Sequence, residues 1–150
     1  MKFLDLAILE AKKALEAGEV PVGAVIVKDG EVISKAHNMK ETLKNPLAHS
    51  EIIAINEACK KNGDWRLNGY EMYVTLEPCS MCASAIIQSR ISKLYIGTFN
   101  IDMGACGTVI DITNNKYLNS NLDIEWMYNL ECSELIKRFF EAKRKVKKSK

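Results

Sequence analysis

The chain has 150 residues, of which 47% are hydrophobic and 27% charged, a balance typical of a globular domain rather than a disordered or fibrous chain. This length supports one sizeable core. The net charge of +2 hides an asymmetry, because residues 137–150 hold eight Lys or Arg against Glu141 alone and carry +7, which leaves −5 on residues 1–136. A basic end of this kind is typical of a chain that meets an anionic partner, either a nucleic acid or a membrane surface.

The distribution of apolar residues and cysteines narrows the class of protein. No apolar run approaches the roughly 18 residues that a membrane span requires, and the N-terminus lacks the hydrophobic segment of a signal peptide. We therefore expect a cytoplasmic protein with no membrane partner. The five cysteines are odd in number and spread along the chain, which argues against a disulfide framework. Reduced thiols, core packing or metal binding are better interpretations.

The first half of the chain predicts a helix, a hairpin and a second helix. Apolar residues at spacings of three and four predict a helix over 4–17. Two apolar runs, 22–27 and 32–36, flank Asp29-Gly30, which is a strong hairpin signal. After a polar loop, a second helical stripe begins at Ile52 and ends near Asn62-Gly63.

The second half alternates strands and helices. It predicts strands over 70–76, 93–97 and 122–127, with helices over 83–88 and 131–146. A strand, helix, strand order indicates a parallel crossover. The chain therefore predicts an α/β layered sheet with helices on both faces.

Two short motifs at predicted helix starts carry the candidate chemistry: His49-Ser50-Glu51 and Pro78-Cys79-Ser80-Met81-Cys82. Taken singly they are weak signals. A histidine beside a helix start is more often a cap or surface residue, and Cys-x-x-Cys can be a redox pair.

Taken together, the two motifs indicate a metal site. Cys79 and Cys82 can point at one metal from the first turn of a helix, and the imidazole of His49 supplies a third ligand. Three protein ligands leave one position of a zinc ion open, which is the mark of a catalytic rather than a structural zinc. A structural site requires a fourth ligand. Four other residues could in principle supply it, although none has paired ligand spacing: His37, Cys59, Cys106 and Cys132.

Glu51 is the candidate proton carrier. If His49 and Glu51 are both helical, their side chains lie about 200° apart, so Glu51 is not expected to bind the same metal. A carboxylate above the pocket could instead move protons from water to a substrate and its leaving group. The alternative interpretation is a charge that stabilises the N-terminus of a helix.

The combined motifs resemble those of the zinc nucleobase deaminases, which carry His-x-Glu and Pro-Cys-x-x-Cys. The resemblance covers roughly residues 3–145 and is strongest to the bacterial tRNA adenosine deaminases. Four further stretches carry it: Glu19-Val20-Pro21-Val22-Gly23-Ala24-Val25, Asn38, Tyr73-Val74-Thr75-Leu76-Glu77, and Gly104-Ala105-Cys106-Gly107-Thr108.

This resemblance implies a single deaminase domain over 1–150, with a three-layer αβα sandwich, a mixed five-stranded sheet and a basic C-terminal helix and tail at about 131–150. It implies a homodimer that hydrolytically converts the wobble adenosine of the tRNA anticodon loop to inosine. It also implies one Zn²⁺ per chain, held by His49, Cys79 and Cys82, with Glu51 as the proton shuttle.

The resemblance also implies substrate contacts. Asn38 matches the family asparagine that hydrogen-bonds the flipped base, and Phe140 and Arg144 lie on the terminal helix that follows the RNA. Asn100 stands where many members carry Asp near the substrate backbone. Because a neutral amide repels phosphate less, we hypothesise looser discrimination between RNA and DNA. The alternatives are a loop-turn role for Asn38 and core anchoring by at least one of Phe139 and Phe140.

Three other functions share parts of this pattern. A free-base or nucleoside deaminase acting on guanine, cytosine or cytidine would carry the same zinc motifs, but it has no need of the +7 tail. A non-catalytic zinc-containing RNA-binding subunit has no need of Glu51. A Cys-x-x-Cys oxidoreductase would use Cys79 and Cys82 for disulfide chemistry and bind no metal.

Overall fold

The computed structural model describes residues 2–118, 120 and 122–148 of the chain. Its helices are α1 (Phe3–Glu16), α2 (Ser50–Asn62), α3 (Ser80–Gln88) and α4 (Leu130–Lys148), with a 3-10 turn at Lys116–Leu118. Its strands are β1 (Gly23–Lys28), β2 (Glu31–His37), β3 (Glu71–Leu76), β4 (Lys93–Thr98) and β5 (Asp123–Trp126). Every predicted helix and strand is therefore confirmed, with shifts of a few residues at the ends.

The five strands form one mixed sheet in the order β2-β1-β3-β4-β5. β1 pairs antiparallel with β2 and β3, whereas β3, β4 and β5 are parallel. The hairpin between β1 and β2 turns through Asp29 and Gly30, which both have positive φ (50° and 78°), as a tight two-residue turn requires. The parallel pair β3 and β4 is joined by α3, which confirms the predicted crossover.

Helices cover both faces of the sheet, because successive strand residues point to opposite sides. Ala24 and Ile26 of β1 pack with buried side chains of α2 and α3. Val25 and Val27 pack with α1 and with the start of α4. Each fully buried Val or Ile contributes about 1.5–3 kcal/mol of hydrophobic stabilisation. This three-layer αβα arrangement is the one that the resemblance implied.

α3 and α4 begin at the carboxyl edge of the parallel strands, where α/β proteins usually bind ligands. α3 begins at Ser80 rather than at the predicted Ala83, since Pro78 ends β3 and leaves only Cys79 before the first turn. α4 extends from Leu130 to Lys148, slightly beyond the predicted helix. Within the described ranges, none of the helices combines the length and apolarity required to cross a bilayer.

Candidate metal centre and active site

His49, Cys79 and Cys82 meet at the starts of α2 and α3. His49 is the N-cap of α2 and Cys79 is the N-cap of α3, both with extended backbone, while Cys82 lies in the first turn of α3. The Nδ1 atom of His49 lies 3.5 Å from Cys82 Sγ and 3.7 Å from Cys79 Sγ. The two cysteines are buried and the histidine is partly exposed. The structure thus brings all three predicted metal ligands together.

The spacing of these three atoms fits zinc. Tetrahedral zinc with bonds of about 2.3 Å to sulfur and 2.0–2.1 Å to nitrogen separates the two kinds of ligand atom by about 3.5 Å. The observed separations of 3.5 and 3.7 Å match that value. Among residues 2–118, 120 and 122–148, these three form the only group of three or more His, Cys, Asp or Glu ligand atoms. The suggested fourth ligands His37, Cys59, Cys106 and Cys132 are not part of it, so one coordination position is left for water or substrate.

The electrostatics of the cluster favour a metal. Hydrogen bonding from the Cys82 thiol, together with the nearby imidazole of His49, outweighs burial and lowers the pKa of Cys79 to about 4. The hydrogen bond with Cys79 also raises the pKa of His49. A helix N-terminus stabilises negative charge at Cys79, whereas the hydrogen bond with Cys79 and burial raise the pKa of Cys82. The thiolate form, which zinc requires of a cysteine ligand, is therefore favoured at Cys79.

Glu51 is buried beside the cluster. Burial raises the pKa of its carboxyl group, and the hydroxyl of Ser50 donates to Glu51 Oε1 at 2.7 Å. The Glu51 carboxyl group is among the groups that raise the pKa of the Cys82 thiol. The expected 200° separation from His49 does not apply, because His49 is an extended N-cap rather than a helical residue. Both side chains can therefore face one pocket.

Glu77 organises the loop beside the site, a role that the sequence reasoning did not assign. Its buried carboxylate accepts the backbone N–H groups of Asn100 (3.1 Å), Cys106 (2.9 Å) and Thr108 (3.2 Å), and the Thr108 hydroxyl as well. A Cβ on Gly104 would come within 2.4 Å of Glu77 Oε1, so glycine is required there. The available signal in the sequence was an acid placed between an apolar strand and Pro78.

Glu19 plays the same part for the loop before α2. Its buried carboxylate accepts the backbone N–H groups of Glu41 (3.0 Å) and Thr42 (2.6 Å) and the hydroxyl of Thr42 (2.7 Å). The side chain of Asn38 lies in the same loop, where it donates to Val20 O at 3.2 Å and accepts the N–H of Lys40 at 3.1 Å. Asn38 thus has the loop-turn contacts of the alternative interpretation, and its contact with a base stays a prediction.

The other predicted substrate residues lie in the loop after β4 and on α4. The Asn100 side chain accepts the N–H groups of Asp102 and Met103 at 3.3 and 3.1 Å, so it closes a turn after β4. Ser133 contacts Thr98 at the end of β4, and Phe140 and Arg144 lie about 10 and 17 Å beyond it along α4. Their RNA contacts stay predictions.

Phe139 and Phe140 differ in burial. Phe139 is 7% exposed and belongs to the core, which confirms that one of the two aromatic residues anchors α4. Phe140 is 39% exposed, so part of its ring remains available to a partner.

An αβα sandwich with a His/Cys/Cys cluster and a buried carboxylate beside it is typical of deaminases with a zinc-binding site. Residues 1–98 match the family described as "Cytidine and deoxycytidylate deaminase zinc-binding region". The chain belongs to this family.

Full-length relatives narrow the comparison. The chain is 44% identical over 148 residues to a tRNA-specific adenosine deaminase of Bacillus subtilis, covering 98% of this chain and 92% of the relative. It is 48% identical over 142 residues to the protein of that name from Aquifex aeolicus, covering 95% of this chain and 94% of the relative.

Solved structures agree with this grouping. One from a study of A-to-I editing by tRNA:A34 deaminases at the wobble position superposes with a TM-score of 0.86 at 40% identity, covering 89% of this chain and 97% of that one. A guanine deaminase of Bacillus subtilis is less similar, with a TM-score of 0.62 at 32% identity, covering 78% of this chain and 87% of that one.

Proposed function

We propose that this protein deaminates adenosine to inosine at the wobble position of the tRNA anticodon loop, with one Zn²⁺ per chain. The observation that carries the proposal is the His49, Cys79 and Cys82 cluster with Glu51 buried beside it. Relatives at 44% and 48% identity over nearly the whole chain support tRNA adenosine as the substrate. The +7 charge of residues 137–150 supports a polyanionic partner, and tRNA implies a cytoplasmic location.

The site residues have two roles in the reaction: three of them bind the metal and one transfers protons. His49 Nδ1 and the sulfurs of Cys79 and Cys82 would hold zinc, which would supply Lewis-acid chemistry that acidifies water. Glu51 Oε1 is occupied by the Ser50 hydroxyl, so its other oxygen takes a proton from the attacking water. Glu51 gives this proton to a ring nitrogen, then takes the proton of the hydroxyl added at C6 and gives it to the leaving amine. Water adds at C6 of adenine and ammonia leaves, which balances the reaction.

The loops around the cluster position the substrate. The loop with Asn38, held by Glu19, and the loop after β4, held by Glu77, are tied down by several hydrogen bonds each. Two loops held in this way beside the metal ligands can orient a base that has left its stack. We propose that Asn38 exchanges a loop hydrogen bond for one to that base.

The test is direct. Zinc-loaded protein is incubated with an anticodon stem-loop RNA that carries adenosine at the wobble position and, separately, with guanine, cytidine and free adenosine, and ammonia release is measured. The same hairpin with inosine at that position is the matched control. We expect ammonia from the adenosine hairpin alone. Release from guanine or cytidine but not from the hairpin would overturn the proposal in favour of a free-base or nucleoside deaminase.

The homodimer is a second part of the proposal. It is supported by the resemblance to the family, and sedimentation velocity of the zinc-loaded protein tests it. We expect a mass of about twice 16.9 kDa at micromolar concentration. A mass of one chain across the concentration range would overturn it.

A further inference from the structure

Three aromatic side chains form a partly exposed cluster, here called the aromatic platform: Phe99, Trp126 and Tyr128. The ring centroid of Phe99 lies 5.1 Å from that of Trp126 and 5.5 Å from that of Tyr128. The rings of Trp126 and Tyr128 lie 6.3 Å apart and within 20° of parallel. Phe99 is 47% exposed and Tyr128 is 66% exposed. The platform thus presents flat aromatic surface to solvent.

The platform lies at the same edge of the sheet as the metal centre. Cys79, Phe99 and Trp126 stand at the carboxyl ends of the parallel strands β3, β4 and β5. The N–H of Asn100, directly after Phe99, donates to Glu77, two residues before Cys79. The aromatic surface is therefore continuous with the loop that borders the candidate active site.

The backbone of the platform is held in a strained conformation. Tyr128 has φ of 49°, a left-handed value that a bulky residue rarely adopts. Hydrogen bonds on both sides fix it, from Met127 N to Ile96 O at 2.8 Å and from Asn129 N to Gly97 O at 2.7 Å. Strain that surrounding bonds maintain clusters at ligand sites, where it presents a side chain in a fixed position.

The charge around the platform selects the kind of ligand. Lys116 is the one Lys or Arg in the sequence between Gly97 and Glu131, whereas Asp102 is exposed in the adjoining loop. The segment that carries the platform therefore offers few cations to a phosphate. A nucleobase has a neutral, flat face that stacks on aromatic side chains, and single-stranded RNA loops present such faces.

We propose that the aromatic platform stacks one unpaired base of the RNA loop beside the base that enters the zinc pocket. The inference rests on the proposed function, because that function supplies an unpaired loop at this edge. The platform then contributes affinity that does not depend on salt, and it fixes the position of the RNA loop relative to the zinc site. Phosphate contacts elsewhere supply the salt-dependent part of the affinity.

The first measurement is hairpin binding by variants of the full-length, zinc-loaded protein. Tyr128→Ala removes the most exposed ring of the platform, and Tyr128→Trp retains a stacking surface. Tyr117→Ala is the matched control, since Tyr117 is 85% exposed and its ring contacts Lys116. We expect Tyr128→Ala to weaken binding of the anticodon hairpin about 5- to 100-fold, Tyr128→Trp to bind like the parent, and Tyr117→Ala to stay within about twofold. The salt dependence of all four proteins should be the same.

The second measurement identifies the stacked base. Hairpins with one abasic residue at each loop position flanking the wobble adenosine are bound to the parent and to Tyr128→Ala. At one loop position, removal of the base should weaken binding to the parent by the same factor as the Tyr128→Ala substitution does. The same removal should change binding to Tyr128→Ala very little. This pairwise coupling is a readout that a loss of folding would not produce.

The outcomes separate this inference from the proposed function. If the parent binds the hairpin with the expected coupling but releases no ammonia, the platform stands and the proposed function fails. If the parent deaminates the hairpin but Tyr128→Ala binds every hairpin as the parent does, the platform proposal is overturned. A changed sedimentation coefficient of Tyr128→Ala with unchanged RNA affinity would overturn it in favour of a contact with a second copy of the chain. Absence of hairpin binding by the parent would overturn both.

Discussion

The carboxylate of Glu77 accepts the backbone N–H of Cys106 at 2.9 Å and so ties the residue two positions before Cys79 to the loop beyond β4. Its other hydrogen bonds, from Asn100 and Thr108, converge on the same buried group. The start of α3 and the loop after β4 are therefore one hydrogen-bonded unit. Loss of the negative charge should loosen both at once.

Glu77→Gln should lower the free energy of unfolding by about 1.5–3 kcal/mol, because an amide NH₂ would face N–H donors and one charge-assisted hydrogen bond would be lost. Urea denaturation measures this effect. Glu57→Gln is the matched control, because Glu57 is exposed on α2 and should shift the value by less than about 0.5 kcal/mol. Equal urea midpoints for Glu77→Gln and the parent would show that the loop does not depend on this carboxylate.

Glu51→Gln should lower kcat for the hairpin about 100- to 10,000-fold while zinc content stays at one per chain. The amide can still accept the Ser50 hydroxyl, so the geometry is kept, but it cannot carry a proton. Single-turnover kinetics and metal analysis of the same preparation check both halves of this prediction. Loss of zinc together with activity would instead indicate that Glu51 supports the metal ligands.

Most of the fold and the metal site could be predicted from residue type and periodicity in the sequence. α1 has a strong helical period and β1 is an apolar run, and His49, Cys79 and Cys82 are of the few residue types that bind zinc with this spacing. The roles of Glu77 and Glu19 were not predictable in the same way, because their carboxylates bind N–H groups 22 to 31 residues away in loops without periodicity. That His49 and Glu51 face one site also depends on the extended backbone of His49 at the N-cap. The angle expected between two helical residues does not predict this arrangement.

The stability contributed by Glu19 should depend on pH. Burial raises its pKa, but the N–H groups of Glu41 and Thr42 outweigh this effect and hold the pKa below its ordinary value of 4.5. A lowered carboxyl pKa stabilises the fold above that ordinary value, and the stabilisation is lost as the pH falls through the lowered pKa.

Glu19→Gln should therefore be about 1–3 kcal/mol less stable than the parent at pH 7, and the difference should shrink as the pH falls below about 4.5. Urea titrations at several pH values measure it, with Glu57→Gln again as the control. A difference that stays constant down to pH 2 would contradict the assignment.

Asn100→Asp tests the hypothesis on RNA and DNA. An aspartate can still accept the N–H groups of Asp102 and Met103, so the turn after β4 should be retained. If the neutral amide relaxes discrimination, the aspartate variant should show a larger ratio of RNA to DNA hairpin turnover than the parent. Equal ratios of kcat/KM for the two proteins would reject the hypothesis.

Removal of the basic end should separate phosphate binding from catalysis. A truncation after Ile136 would also remove Phe139, which is 7% exposed, and would unpack α4. A truncation after Ala142 keeps that anchor and removes six Lys or Arg residues, including Arg144. Each lost phosphate contact should reduce the slope of log affinity against log salt by about 0.7 to 0.9. The slope is measured from hairpin affinities at salt concentrations between about 50 and 200 mM. An unchanged slope, with zinc content and unfolding midpoint preserved, would show that residues 143–150 do not meet the RNA.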